Sequence, residues 1–419
     1  MPLYSEQEVN DNERLSVING SYATVGISIV SNFAPLFVLR ALHATSQEVA
    51  LLNSLPALMA IVATWLGALW MSAVQSKKKF CVRASFVARV FYILLATVPF
   101  FVHGSALALV VVLLIAIMNF PQSFTALSWQ SLIGDLIPEN HRAHFFSVRN
   151  RITTFVGMLT TLIPGIILQF FPVSSVPPYQ AFFFVSALCS VMEIYYLIRH
   201  REHVDQRPDK KTPAILNPRM FVVFLRRPSY RKFLIGAVIF NVGWQMAWPL
   251  FNIFQIKYAG ATAIWVSSFI VANQVSQIVT YMYWGKLSEK FGNSMTLAIA
   301  CFGMAVSPVL TMLSTGMVYL VVINLLTGTF VAGVNVLQFN HLLDVAPLEH
   351  RTAYIAHFNI VMGFVGFVAP EIGVNLLSLI SMDPAMIIST LVRAGGGLFF
   401  FFVVAKAVMS QSSNATASL

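Results

Sequence analysis

Charge is scarce in this sequence of 419 residues: Asp, Glu, Lys and Arg together make up 10% of it, against 57% hydrophobic residues. A soluble chain of that length needs far more polar surface to cover its core, so the sequence describes an integral membrane protein. Cysteine is also scarce. Cys81, Cys189 and Cys301 fall in or beside apolar runs, which makes them helix-packing residues and leaves the redox compartment unmarked. The ten-residue alternation of an outer-membrane barrel is missing, so the spans are helical. A cleavable leader is not evident either, because the first 15 residues are polar and the first apolar run is too long for an h-region. No GxxxxGK[ST] loop exists for ATP to drive the protein directly. Neither a catalytic pair nor a soluble sensing domain is visible, which argues against an intramembrane enzyme or receptor. We expect no catalytic residues, no cofactor and no metal.

What is present is a succession of apolar runs of about 20 residues, the length a helix needs to cross the hydrocarbon layer. We read twelve, at 17–39, 48–72, 80–102, 106–134, 149–171, 180–198, 233–256, 264–284, 294–313, 317–343, 355–379 and 386–407. An even number puts both termini on one side. Placing them in the cytoplasm puts Lys77, Lys78, Lys79, Arg83, Arg142, Arg149, Arg151, Lys286, Lys290 and Arg351 in cytoplasmic turns, with ten more Lys or Arg between Arg199 and Lys232. The opposite loops hold only Arg40 and Lys257, which is the positive-inside pattern. The net charge of +10 is thus matched to anionic lipid headgroups, and no nucleic-acid partner is needed. We expect a multi-pass protein of a bacterial inner (cytoplasmic) membrane, acting as a monomer.

The chain also repeats itself. Asp135, Pro138, His141 and Arg142 in DLIPENHR recur 209 residues later as Asp344, Pro347, His350 and Arg351 in DVAPLEHR, followed by Phe145 against Tyr354 and Asn150 against Asn359. A second set, Val25-Gly26, Ala44-Thr45 and Val49, recurs at an offset of 217 as Val242-Gly243, Ala261-Thr262 and Val266. One duplication with small indels leaves both offsets. The fold class is therefore all-α, with twelve transmembrane helices in two pseudo-symmetric six-helix bundles, 1–198 and 233–419, joined by a basic cytoplasmic linker, 199–232. The end of that linker, FVVFLRRPSYRK, has the makings of a basic amphipathic helix lying on the inner membrane surface.

Between the eighth and ninth runs stands GKLSEKFGN, whose Gly285, Leu287, Glu289, Lys290 and Gly292 resemble the signature loop of the major facilitator superfamily. Twelve spans and a central basic link extend the resemblance over nearly the whole chain. The first-half copy, GALWMSAVQSKKKF, keeps Gly67 and Leu69 but has Met71 at the acidic place. The resemblance implies a secondary transporter working by alternating access, with Glu289 and Lys290 gating together with Asp344, and with Asp135 and Arg142 as a partial counterpart beside Arg351. It also implies that runs 1, 4, 7 and 10 line a central cavity.

Those four runs carry polar stripes that lipid would reject. Ser21, Thr24, Ser28, Asn32 and Pro35 fall within about 100° of one helical face, and Asn241, Gln245, Trp248 and Asn252 within about 60° of another. Run 4 carries Asn119, Gln122, Trp129 and Gln130, and run 10 carries Asn324, Asn335, Gln338 and His341. We take Asn32, Asn119, Gln122, Asn241, Gln245, Trp248, Asn335 and Gln338 as the substrate-binding set. Amides and indoles suit a small polar uncharged solute, sugar-like or nucleoside-like. Proton-driven multidrug efflux is the alternative; by resemblance it would require a mid-membrane arginine in run 4 and a glycine-rich run 5, which this chain lacks. Of the ionisable residues within runs, Arg89 and Glu193 read as near enough to the cytoplasmic ends to snorkel or pair locally. Glu371 and Arg393 sit at matching depth on adjacent runs and read as a buried pair, with Glu371 as the proton-coupling candidate.

Overall fold

The computed structural model describes residues 5–104, 106–202, 224–347 and 351–416, and it describes side chains at these positions except 68, 69, 71–73, 139–144, 147, 351–353 and 403–416. Twelve helices account for nearly all of them: α1 Glu6–Leu36, α2 Ser46–Ala73, α3 Lys77–Thr97, α4 Ala106–Leu136, α5 Glu139–Ile167, α6 Pro177–Ile198, α7 Pro228–Ile253, α8 Ala263–Phe291, α9 Asn293–Met312, α10 Met317–Val345, α11 Arg351–Ile380 and α12 Met382–Thr416. Each carries a stretch long and apolar enough to cross a membrane. Most of the 199–232 link, including the first three residues of its expected amphipathic helix, lies outside the described residues.

Several helices begin earlier than their apolar runs, and the caps explain why. Ser5 and Glu8 form a capping box at the head of α1, so the polar segment EQEVNDNERL joins the helix. Thr45 and Glu48 do the same for α2. Pro138 stands as N-cap of α5, which then starts ten residues ahead of the expected boundary. Gly292, in the signature loop, takes φ +78° between α8 and α9, a left-handed conformation that glycine adopts without steric penalty. Inside α9 the helix is interrupted at Val306. Pro308 lacks the N–H that would bond back to Met304, and the Met304 carbonyl accepts from the Ser307 hydroxyl at 2.9 Å instead.

The chain clusters into two compact units, one of 1–216 with 261–267, the other of 217–260 with 268–419. The first is built on α1 packing against α5 and α6, with α3 against α4 and α6; the second is built on α7 against α11 and α12, with α9 against α10 and α12. These pairings correspond one to one, and they extend to detail. α1 and α7 both widen into a π-helical turn at their ends, Phe37–Ala41 and Phe254–Tyr258, at the same offset of 217 as the second sequence repeat. The core of the second unit gathers Phe233, Phe240, Leu297, Leu337 and Phe400, and a smaller cluster around Leu132, Ile133 and Phe145 seals the corresponding end of the first.

Candidate functional site: the polar linings of the two units

In the first unit the dominant polar feature is one that the sequence pattern hid. Arg89 lies 12 residues into α3, about 18 Å from its start, and its guanidinium forks onto Glu193 of α6 at 2.8 and 2.9 Å. Both side chains are 4% exposed. The same arginine donates to the Tyr92 hydroxyl at 2.8 Å and to Gln122 Oε1 of α4 at 2.6 Å, while Asn19 of α1 donates to the Glu193 carbonyl at 2.7 Å. Arg89 and Glu193 therefore do not snorkel. They form a bidentate buried pair that ties α1, α3, α4 and α6, because a guanidinium withdrawn from water requires a counter-charge with matched geometry.

This network engages Gln122. Asn119 bonds back to the Ile115 carbonyl of its own helix at 2.7 Å, and Asn32 donates to Thr161 of α5 at 2.8 Å. In the second unit the structure brings Asn241 and Gln338 together across α7 and α10 at 3.1 Å. The remaining expected residues differ. Gln245 is half-buried and Asn335 exposed, and neither amide has a bonded partner among the described residues. Trp248 is 43% exposed and meets Trp244 edge to face at 6.2 Å. A ladder on α8 went unnoticed in the sequence: Gln277 donates to Asn273, Tyr281 donates to Gln277, and Asn273 donates to the Asn324 carbonyl of α10. Its spacing, N-x3-Q-x3-Y, was the available signal.

Glu371 and Arg393 are not joined. Arg393 is fully buried on α12 and donates to the carbonyls of Gly243 (3.1 Å), Trp244 (3.3 Å) and Met304 (3.1 Å) and to Ser307 Oγ (2.9 Å). The Met304 carbonyl, which Pro308 cannot reach, is shared with the Ser307 hydroxyl; the cation is held by backbone dipoles of α7 and α9, where sequence depth alone suggested a carboxylate. Glu371 lies half-buried on α11, nine residues from its end.

The repeated turns also differ from expectation. Asp344 accepts from Asn293, the first residue of α9, at 2.7 Å, with the His341 ring 3.9 Å away. Glu289 is exposed and the Lys290 amine stands over the Phe291 ring at 5.2 Å, so Asp344 is fastened to neither. Asp135 pairs with Lys77, the first residue of α3, at 2.5 Å. In both units the aspartate thus reaches the head of the preceding odd-numbered helix. The side chains of Arg142 and Arg351, and residue His350 entirely, lie outside the described residues.

At the head of α3 the capping carboxylate is Glu202, just past α6. It accepts from Ser76 Oγ at 2.5 Å and from the Lys77 backbone N–H at 2.8 Å, which places negative charge at the positive end of α3. Beside it Asn12 exchanges two hydrogen bonds with the Arg201 backbone. His200 is 1% exposed and its Nδ1 faces the Tyr196 and Leu197 carbonyls. Burial pushes its pKa down to about 4 from the ordinary 6.5. Since the unfolded chain then binds the extra proton more readily, this histidine contributes stability above pH 6.5 that is lost as pH falls through that value towards 4. The unfolding temperature of His200→Gln should accordingly converge on that of the wild type as pH is lowered across this window. A difference independent of pH would show that His200 titrates alike in the folded and unfolded states.

Two six-helix units with matched helix pairings, apolar spans and polar seams define a multi-pass membrane protein of the solute-transporter class. The family model of the Major Facilitator Superfamily matches residues 17–274 and 233–417, and the chain belongs to that family; it is a transporter rather than an enzyme. No curated protein matches it in sequence. Among solved structures, a mutant of the nucleoside transporter NupG superposes with a TM-score of 0.73 at 12% identity, covering 94% of this chain and 99% of that one. A POT family transporter in complex with a thioalcohol-conjugated peptide gives 0.72 at 13% identity, with 96% of each chain covered. A bacterial homolog of the human lysosomal transporter Spinster gives 0.69 at 12% identity over 95% and 97%. At these identities the likeness is one of fold.

Proposed function

We propose that this transporter moves a small polar uncharged solute by alternating access, and that Gln245, Trp248 and Asn335 of α7 and α10 are its principal solute contacts. The observation carrying this reading is the contrast within one stripe: Asn241 and Gln338 bond to each other, whereas Gln245 and Asn335 have no protein partner among the described residues. Amides held in a membrane bundle without partners are complementary to hydroxyls and amides of a ligand, and the half-exposed indole beside them offers a ring face. The nucleoside transporter among the structural neighbours accords with such a lining. Asn32, Asn119 and Gln122 complete the set in the first unit, with their present bonds opening as the solute arrives. Both termini face the cytoplasm in this reading, and Glu371 carries the coupling proton.

Gln245→Ala and Asn335→Ala should each lower uptake or exchange about tenfold through lost ligand hydrogen bonds, with unchanged expression and unfolding temperature. The solute comes from a thermal-shift screen of purified protein, since a ligand stabilises only the state it binds. If both variants melt early while their folded fraction transports normally, the amides are structural and the assignment fails.

A further inference from the structure

Two arginines among the described residues are buried within the helices with their guanidinium groups fully accounted for. Arg89 has the Glu193 carboxylate, and Arg393 has three carbonyls and a hydroxyl. Arg149 on α5 is the exception. Its guanidinium lies over the indole of Trp129 on α4, 4.1 Å from the ring centroid. It also presses on α1 at Gly20, where a Cβ would stand 2.7 Å from Nη2, so glycine lets it lie close against α1 in this position. Among the described residues no carboxylate pairs with it, and its Nε is buried without an acceptor. The indole N–H of Trp129, on the ring beneath it, is likewise buried without an acceptor.

Stacking on an indole offsets part of what a cation loses on leaving water, but it supplies no hydrogen-bond acceptor. Two unfilled donors next to an uncompensated positive charge are complementary to one group, an anionic oxygen cluster, which the planar guanidinium engages side-on. Both side chains keep part of their surface open, so the place is reachable. We infer that Arg149 and Trp129, with Gly20 as the floor, form a binding site for a carboxylate or phosphate group. Trp129 follows Gln122 by seven residues, two turns along the same face of α4 and about 10 Å nearer its C-terminal end. The site is therefore distinct from the amide stripe and holds whether or not the amides bind solute. The group can come from a free anion or from an anionic lipid headgroup.

Delipidated full-length protein in neutral detergent is to be titrated with inorganic phosphate, and separately with acetate, at ionic strength fixed by sodium chloride, while thermal unfolding is followed. A parallel titration uses micelles containing phosphatidylglycerol or phosphatidylcholine. Saturable stabilisation by free phosphate or acetate is expected, with apparent Kd raised about tenfold or more in Arg149→Gln and several-fold in Trp129→Phe, which keeps a ring but loses the donor. Lys79→Gln, which removes an exposed cation at the start of α3, should titrate as the wild type does. Stabilisation by phosphatidylglycerol alone, with the same ranking of variants, also supports the site and identifies a headgroup as the source. Should Arg149→Gln fail to fold, Arg149→Lys and Trp129→Phe carry the test. No stabilisation by any of these anions, or stabilisation that the variants leave unchanged, overturns the proposal.

Discussion

Glu193→Leu should lose about 3–5 kcal/mol of stability, seen as a sharp drop in the folded fraction recovered from detergent and in unfolding temperature, because it strands the Arg89 guanidinium in a site 4% exposed. Arg89→Leu should do comparable damage by stranding the carboxylate. The informative variant is the double one. Replacing both members of a buried pair with apolar residues of similar volume is often neutral or stabilising by about 1–4 kcal/mol, so Arg89→Leu with Glu193→Leu should recover most of what either single change loses. Gln122→Ala, which removes one acceptor from a guanidinium that keeps its carboxylate, should cost only about 1–3 kcal/mol. A Glu193→Leu protein as stable as the wild type would show that the fork at 2.8 and 2.9 Å contributes nothing to the fold.

The second large effect is functional. Under the coupling role proposed for Glu371, Glu371→Gln should abolish solute accumulation driven by a pH gradient and preserve exchange at equal concentrations, since exchange needs alternation but no net proton movement. The Arg393 site should be undisturbed in that variant, because its donors go to Gly243, Trp244, Met304 and Ser307 and a change at Glu371 leaves all four in place. Arg393→Leu is the contrasting case. It unties four hydrogen bonds that join α12 to α7 and α9, although the Gly243 and Met304 carbonyls keep the Ser389 and Ser307 hydroxyls as donors, so it should lose about 1–3 kcal/mol of stability. A stable Glu371→Gln protein with undiminished gradient-driven accumulation would remove Glu371 from the coupling step.

How far such residues could be read in advance depended on the distance over which their environment is set. The twelve helices follow from apolar runs that report only on their own segment, and the duplication followed from two fixed offsets that the matched helix pairings and the paired π-turns now bear out. Depth along a helix was legible too: Glu371 and Arg393 do lie inside their spans. Depth does not give the direction in which a side chain points, however. What captures Arg393 includes the Met304 carbonyl and the Ser307 hydroxyl on a helix more than 80 residues away in sequence, and no periodicity within α12 announces that. The amide stripes illustrate the same limit, since Asn241 and Gln245 are one turn apart on one face, yet only Asn241 is engaged by Gln338. Arg149 was counted as one more cytoplasmic cation, because its missing counter-charge becomes visible only when its neighbours are known.

The duplicated turn itself has drifted into two unlike fasteners. Asp135 is tied by a lysine ammonium across partly exposed surface, whereas Asp344, at the matching place, is tied by the neutral amide of Asn293. Mobile ions weaken the first kind of tie and scarcely affect the second. Of the two clasps at matching places, one slackens in brine and one does not, so the ionic composition of the surrounding medium acts unequally on the two halves of the molecule.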